Sequence, residues 1–471
     1  MRICVVVPGT ASESETPVRP QLSDYIDTKL YPIETRQITK ENAIAEIDDL
    51  EIGRADVFIN YLFHQDPYDQ KWAEALKYLN TKTSLTGIGT VSDSLLKSLH
   101  VAESLDKANG VGPTTSQLAL PNATLKNQGG DFSVLVVLIG QNAFALTPLE
   151  YKDQETTWKL AGDSELTERL RDNAKSTFEH IRGTTEEYLG YLRVNLHVDR
   201  ASIEISTINA DPAPRLFYPQ GTSPWDDEVI AKTFPGGHAA FFEVILSTRL
   251  ARIPQYVMRN EGCARQQGRL ARLYYTVLAT NVTQTRLSPF VGKYDYNGTV
   301  LDCCSGSGEF ARFAIDAGVQ AKYTALDYSV EMTALPISKK CYEQPFIIGP
   351  VQEILSKAPM HDHVVCFGSF HLLQPFDFFS TVSQMFLRAR KSVTFDVDDL
   401  SQTYIQNFPE ASSEKCWEKL EYNHNNVAQA FRFGVPVGWR AVLNGERRFA
   451  YRSLVMGEDV YTHSFRFERV K

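Results

Sequence analysis

Gly298-Thr299-Val300-Leu301-Asp302-Cys303-Cys304-Ser305-Gly306-Ser307-Gly308-Glu309-Phe310-Ala311-Arg312-Phe313-Ala314 is the stretch that decides how this chain folds. An apolar run ends on Asp302, a tight loop carries Gly306 and Gly308, and Phe310, Phe313 and Ala314 follow at helical spacing. The pattern predicts a strand, a glycine loop and a helix. Glycines are needed where backbone must approach a ligand closely, and the first turn of the helix offers N–H groups without intrahelical partners. The loop alone is unspecific, because Gly306-Ser307-Gly308-Glu309-Phe310-Ala311 also approximates the dinucleotide fingerprint with alanine as its third member. About twenty residues further on, a second apolar run, Tyr323-Thr324-Ala325-Leu326-Asp327, ends on an acid that can take both ribose hydroxyls. Adenosine binding is implied, and the group beyond the ribose stays open.

Beyond these strands the chain looks like a known family, with His363-Val364-Val365-Cys366-Phe367 in the place of that family's fourth strand and Lys391-Ser392-Val393-Thr394-Phe395 in the place of its fifth. Arg447 to Val455 and Val460 to Phe467, around Gly457-Glu458-Asp459, read as a terminal hairpin. A dehydrogenase would continue with another parallel strand instead. This half resembles the class I S-adenosylmethionine-dependent methyltransferases, with a first motif in Val300 to Gly308 and a second in Ala325-Leu326-Asp327-Tyr328-Ser329. The resemblance implies a Rossmann-like domain and S-adenosyl-L-methionine as cofactor, held by Asp302, Ser305, Gly306, Gly308, Asp327, Tyr328 and Phe367. The family's third motif carries an acid near the adenine; this chain has Gly349-Pro350-Val351-Gln352-Glu353 there, and the role passes to Gln352. Cys304 stands where the family usually has glycine, which implies a wider loop or a different hold on the methionine end.

Methyl transfer needs an aligned nucleophile and often a base. His371, just past the fourth strand, is the candidate base, with packing of its loop as the alternative role. Asp396 and Asp398, with Asp399 beside them, are candidates to orient an amine or hydroxyl, although acids after a strand also form turns and helix caps. Tyr274 and Tyr275 suit either a cofactor lid or a helix core.

The first half opens with Ile3 to Val7, an apolar run ended by Pro8-Gly9, and continues with strand-like Ala55 to Tyr61, Asp131 to Gly140, Tyr191 to Val198 and Ile203 to Asn209. It resembles the D-alanine:D-alanine ligase branch of the ATP-grasp family. The resemblance is carried by Phe58-Ile59-Asn60-Tyr61, Thr86-Gly87, Ser92 to Lys97, Gly112-Pro113-Thr114, Ala145 to Tyr151 and Tyr191 to Asn195. Only about seventeen residues (115–131) separate Thr114 from Phe132, too few to build the lid that closes over ATP in that family. Its magnesium ligands fall on Asn195, Glu204 and Ser206, of which only Glu204 matches, so no metal is expected. Lys97 could touch a phosphate or simply face solvent. The resemblance thus implies a catalytically silent ligase-like scaffold for substrate capture, dimerisation or support.

At 471 residues the chain exceeds one ordinary core, and the expected domains are 1–120 (pre-ATP-grasp-like, Rossmann-type), 121–252 (truncated ATP-grasp-like) and 253–471 (methyltransferase), with a linker near Arg252-Ile253-Pro254. The fold class is α/β: a truncated ATP-grasp-like α/β region followed by a Rossmann-like class I methyltransferase domain with a terminal β-hairpin. A net charge of −9 without basic clusters argues against nucleic acid and anionic membranes as partners. Seven cysteines, odd in number and without CxxC spacing, indicate neither a disulfide framework nor a zinc site. The short apolar run at the N-terminus is no signal peptide, so a cytoplasmic location is expected and the Asn122, Asn281 and Asn297 sequons are read as chance. The leading function is methyl transfer to a small molecule, with a homodimer through the ligase-like half as one use of that half. Two alternatives are a bifunctional ligase and methyltransferase, and a non-catalytic adenosine-binding scaffold.

Overall fold

A computed structural model describes residues 1–9, 20–52, 56–61, 74–75, 78–79, 86–88, 129–152, 157–162, 164–184, 188–199, 202, 204–211, 214, 216–219, 225–277, 285–343, 345–416, 419 and 422–470. Ser92 to Lys97, Gly112-Pro113-Thr114, Asn122, Asn281 and the side chains of Tyr274 and Tyr275 lie outside the described residues. The chain divides into two compact units, one of residues 1–138 and 143–234, the other of 139–142 and 235–471.

In the first unit, β1 (Ile3–Pro8), β2 (Ile33–Ile38), β3 (Val57–Asn60) and β4 (Thr86–Ile88) form a parallel sheet in the order β2-β1-β3-β4. A second sheet contains β5 (Gly129–Ile139), β6 (Asn142–Ala145), β7 (Leu149–Lys152), β8 (Thr157–Leu160), β9 (Tyr191–Asp199) and β10 (Ile205–Asp211). Its order is β10-β9-β5-β7-β8, its neighbours along that path run antiparallel, and β6 pairs with β5. The continuous apolar run of β5 belongs to a strand buried on both faces. Val134, Val136 and Leu138 join one cluster with Val6 and Phe58 of the parallel sheet and with Leu170, Phe178 and Ile181 of the helix Glu165–Thr184.

Among the described residues the second unit is built on one seven-stranded sheet. Its strands are β11 (Gly298–Cys303), β12 (Ala321–Asp327), β13 (Ile347–Ile348), β14 (His361–Cys366), β15 (Ala389–Asp399), β16 (Trp439–Arg452) and β17 (Asp459–Arg469), in the order β13-β12-β11-β14-β15-β17-β16. The five strands from β13 to β15 run parallel, and β17 and β16 are antiparallel. This is a Rossmann-like open sheet with a terminal hairpin whose second strand inserts beside β15. The strand order reverses between β11 and β14, so the carboxyl ends of these strands diverge and leave a crevice. β16 starts at Trp439, well before the Arg447 expected from the sequence. Three register shifts against β17, at Ala441/Leu443, Asn444/Glu446 and Phe449/Tyr451, break the period-2 alternation that would have revealed the strand.

Arg252-Ile253-Pro254, read as a linker, is a short turn between the helices Gly237–Leu250 and Pro254–Val277 of this unit. Pro254 occupies the start of the second helix, where its missing N–H costs nothing. Among the described residues no helix is long and apolar enough to cross a membrane.

The centre of the second core is aromatic. Phe395 of β15 packs on Phe370, Phe378, Phe465 and Phe467, with ring centroids 5.1 to 6.3 Å away. Phe395→Ala removes buried rings from contact and leaves a cavity that four neighbours cannot all collapse into, so the stability loss should be about 3 to 5 kcal/mol. Urea unfolding followed by fluorescence measures it; a loss under about 1 kcal/mol would show that this cluster is not the centre of the unit's core.

Candidate active site

The glycine loop between β11 and the helix Glu309–Asp316 is built from left-handed residues. Cys304, Gly306 and Gly308 have φ of 55°, 55° and 89°. Cys304 therefore adopts a glycine-like backbone itself, and the substitution is absorbed as local strain on the order of 1 kcal/mol. Asp327, at the end of β12, holds the loop from the other side: its Oδ2 accepts the Gly306 N–H at 2.8 Å and its Oδ1 accepts the Ser329 N–H at 2.7 Å. Burial pushes the Asp327 carboxyl up, and these backbone donors oppose that shift.

Above the loop lies a cavity of about 380 Å³. Asp302, Ser305, Gly306, Asp327, Tyr328, Gln352, Phe367, His371 and Asp398 all line it. Nine of the eleven residues singled out from the sequence thus meet in one place, because each lies at the carboxyl end of a parallel strand or in the segment that follows it. The other two do not line the cavity. Gly308 caps the helix Glu309–Asp316, and Asp396 lies behind the wall. Asp302 is 3% exposed and accepts the Tyr342 hydroxyl at 2.5 Å; burial pushes its carboxyl up to about 7. Ser305 Oγ is buried with no hydrogen-bond partner among the described residues. Phe367 stacks on Phe310, centroids 5.2 Å apart, closing the floor.

On the opposite wall, Arg286 is sandwiched between two carboxylates. Its Nη1 donates to Asp396 Oδ2 at 2.7 Å and its Nη2 to Asp398 Oδ2 at 3.2 Å. Asp396 Oδ1 also accepts the Gly368 N–H at 2.7 Å. Gly368 has φ of 66°, and a Cβ there would come within 3.3 Å of the guanidinium. Burial opposes ionisation of Asp398, but Arg286 and His371 together hold its carboxyl below the ordinary value. His371 Nδ1 stands 3.4 Å from Asp398 Oδ2. Burial lowers the His371 pKa and the Asp398 charge partly restores it, so the imidazole is neutral at pH 7.

Sequence reasoning missed Arg286, Arg259, Cys263, Asp377 and Tyr422, which also line the cavity. A signal for Arg286 existed: acids two apart on one apolar strand share a face, and a buried pair of like charges demands a cation. The others come from the helix Pro254–Val277, the helix Pro375–Arg388 and the stretch after Cys416, and nothing local marks them. Asp377 Oδ1 accepts the Ser247 hydroxyl at 2.6 Å, and burial pushes its carboxyl up to about 7. Burial takes the Cys263 thiol to about 11, which leaves it protonated and unreactive.

In the first unit, Asn195 donates to Asn209 at 2.7 Å, whereas Glu204 and Ser206 are exposed. Among the described residues no group of three or more His, Cys, Asp or Glu is arranged to hold a metal ion. Arg193 is bound instead between Asp211, at 2.5 Å, and Asp226, at 3.0 Å.

No known family's sequence profile matches the chain. No curated protein matches it either. Solved structures with which it can be superposed include a SAM-dependent methyltransferase from Archaeoglobus fulgidus, 14% identical, covering 41% of this chain and 97% of that one with a TM-score of 0.30. The plantazolicin methyltransferase BpumL in complex with SAH is 12% identical, covers 48% and 94%, and scores 0.29. The magnesium protoporphyrin IX methyltransferase ChlM from Synechocystis PCC 6803 with bound SAH is 13% identical, covers 45% and 87%, and scores 0.27.

Removing Arg286 leaves two buried acids facing each other. Arg286→Met should destabilise the protein by about 3 to 5 kcal/mol, and adding Asp396→Asn should recover part of that loss. Denaturant titrations of the single and double variants test this; equal stability of Arg286→Met and wild type would show the cluster to be indifferent to its cation. By the same electrostatics, Asp398→Asn should lower the His371 pKa further, read by NMR titration of the imidazole, and a rise would contradict the assigned pairing.

Proposed function

We infer that the second unit binds S-adenosyl-L-methionine and that the chain is a methyltransferase acting on a small molecule. The observation that carries this reading is the cavity itself. It joins a left-handed glycine loop after β11 to an acid ending β12, in a sheet of order β13-β12-β11-β14-β15-β17-β16. The wall suits the cofactor: Asp327 can exchange its backbone bonds for ribose hydroxyls, Ser305 Oγ is buried without a partner, and Phe367 and Gln352 offer an apolar face and an amide to a base. Tyr328 and Gly306 complete that side, and Asp302 and Gly308 fix the loop that presents it.

When bound, S-adenosylmethionine supplies an electrophilic methyl group on a sulfonium. The chain's own contribution is made by His371, which as a neutral imidazole accepts the proton leaving the acceptor's nucleophile. Asp398 stabilises the resulting imidazolium, and Arg286 keeps Asp398 ionised and in place. Asp396 acts at one remove, by holding Arg286 and the Gly368 N–H. Tyr404, Phe408, Tyr422 and Tyr451 give the acceptor side an aromatic wall, which favours a small organic molecule over a charged polymer.

On this reading the first unit is a ligase-like scaffold without ligase chemistry. Support comes from Asn195, whose amide is spent on Asn209 where a metal-binding carboxylate would be needed. The domains expected at 1–120, 121–252 and 253–471, use of the first half for capture, support or dimerisation, and a cytoplasmic location belong to the same proposal. Free thiols at Cys4, Cys303 and Cys366 are consistent with a reducing compartment.

Calorimetry with S-adenosylhomocysteine tests the reading directly. Wild type should bind it, and Asp327→Ala should bind it about ten- to a hundredfold more weakly, the equivalent of ~1.5 to 3 kcal/mol for hydrogen bonds to a charged acceptor. Absence of binding by folded wild type would refute the proposal. ATP with Mg²⁺ should give no heat under the same conditions, and ADP release in the presence of an amino acid would restore the bifunctional alternative.

A further inference from the structure

The carboxylates that line the cavity already have partners. Asp302 holds Tyr342, Asp327 holds two backbone N–H groups, Asp377 holds Ser247, Asp398 is paired with Arg286, and Glu309 is paired with Arg312 at 2.8 Å. Arg259 differs from these. It projects from the helix Pro254–Val277 into the same cavity, and among the described residues it makes no ion pair with a carboxylate. Its contacts are neutral. Nη2 lies 3.1 Å from His424 Nε2, the guanidinium sits over the Tyr422 ring at 5.5 Å, and the Gln374 carboxamide, turned with its oxygen inward, accepts from it as well.

These neighbours cannot neutralise a guanidinium. Burial, with Arg259 and His371 nearby, lowers His424 to about 4, so its ring accepts a hydrogen bond without carrying charge. Asp377 is raised to about 7 by burial against the opposing pull of its Ser247 hydrogen bond and of Arg259, so it is only partly ionised at neutral pH, and it interacts with Arg259 through space without an ion-pair contact. Arginine stays protonated at any working pH and presents a planar fork that matches a carboxylate in two parallel bonds. A part-buried guanidinium held only by neutral acceptors and an aromatic face is thus arranged to receive an anion of that shape.

We propose that Arg259 is the carboxylate-binding group of this cavity, with His424, Gln374 and Tyr422 as its neutral positioning frame. The proposal deepens the methyltransferase reading. Two sources share this chemistry: a carboxylate on the methyl acceptor, and the amino-acid end of the cofactor. The aromatic residues that line the same cavity, Tyr422 against Arg259 among them, suit an acceptor with an apolar body between its carboxylate and the atom presented to His371.

The test uses the full chain and two calorimetric arms. In the first, phenylacetate and the neutral phenylacetamide are titrated into protein with and without saturating S-adenosylhomocysteine. In the second, S-adenosylhomocysteine is compared with 5′-methylthioadenosine, which lacks the amino-acid end. Wild type, Arg259→Gln and Arg259→Lys are used throughout, with thermal melting to show that each is folded. An acceptor carboxylate predicts that loaded wild type prefers phenylacetate by about tenfold or more. Arg259→Gln should lose that preference, Arg259→Lys should keep part of it, and S-adenosylhomocysteine affinity should be unchanged. A cofactor carboxylate predicts instead that Arg259→Gln weakens S-adenosylhomocysteine but not 5′-methylthioadenosine. Either pattern supports the proposal and identifies the source. No preference in the first arm together with unchanged S-adenosylhomocysteine binding by Arg259→Gln overturns it. If wild type binds no S-adenosylhomocysteine, the methyltransferase reading fails, and the phenylacetate comparison on unloaded protein still decides the role of Arg259.

Discussion

Two acids two residues apart on a strand must point to the same face, and β15 places both Asp396 and Asp398 in the interior. The repulsion of that pair in a dry site is tolerable only with a cation between them, and Arg286, itself 9% exposed, supplies it. Much else follows from the clamp. The residue at 368 must be glycine-like, because its N–H completes Asp396 while its Cα passes close to the guanidinium. With Arg286 absorbing the charge of Asp396, Asp398 keeps enough of its own to act on His371. The electrostatics of one cavity wall are therefore fixed by β15 and a single buried arginine.

The facing wall depends on backbone more than on charge. Asp327 bonds the N–H groups of Gly306 and Ser329, and on the proposed reading these are the donors that ribose hydroxyls would replace. The exchange is nearly balanced, since hydrogen bonds are traded and not created. Cys304 adds a cost that does nothing for stability. A left-handed non-glycine residue in the tightest part of the loop is strained, and such strain persists where surrounding structure over-determines it. Cys303, one residue earlier, is paired in register with Cys366 in the neighbouring strand and locks the trace from beneath.

Much of this was legible in the sequence, for a physical reason. Buried parallel strands are continuous apolar runs, and the residues that follow them collect at one edge, so Asp302, Gly306, Asp327, Phe367 and His371 could be grouped without a structure. The hairpin was partly legible: β17 alternates, whereas bulges in β16 erase the period. What could not be read were side chains brought in by long-range packing. Arg259 looks like any helical arginine, Asp377 like an acid in a helix's first turn, and Tyr422 like part of a polar loop. In the first half β1, β3, β5, β9 and β10 were legible as apolar or alternating runs, whereas β2, with its polar Glu34, Thr35, Arg36 and Gln37, and the four-residue β6, β7 and β8 were not. At the positions where the ligase family holds magnesium, and where no metal was expected here, the register of β9 and β10 sets Asn195 against Asn209, and Glu204 and Ser206 are exposed.

The irregular and polar features of the two units have different surroundings. In the first, Arg193 is closed between Asp211 and Asp226, Asp227 takes the N–H groups of Phe217 and Tyr218, and the Tyr61 hydroxyl donates to Leu216. Even the left-handed Phe217 has its N–H bonded to Asp227, so this polar cluster works as structural cement. In the second unit several irregularities open onto a cavity: a strained Cys304, an Asp302 whose carboxyl burial raises to about 7, an orphaned Ser305 hydroxyl and an Arg259 whose direct contacts are neutral. Buried polar groups without a protein partner occur elsewhere in both units, Arg193 Nε and Thr381 Oγ1 among them, so what sets the cavity apart is that Ser305 Oγ, Arg259 and the left-handed Cys304 line one space that a ligand can enter.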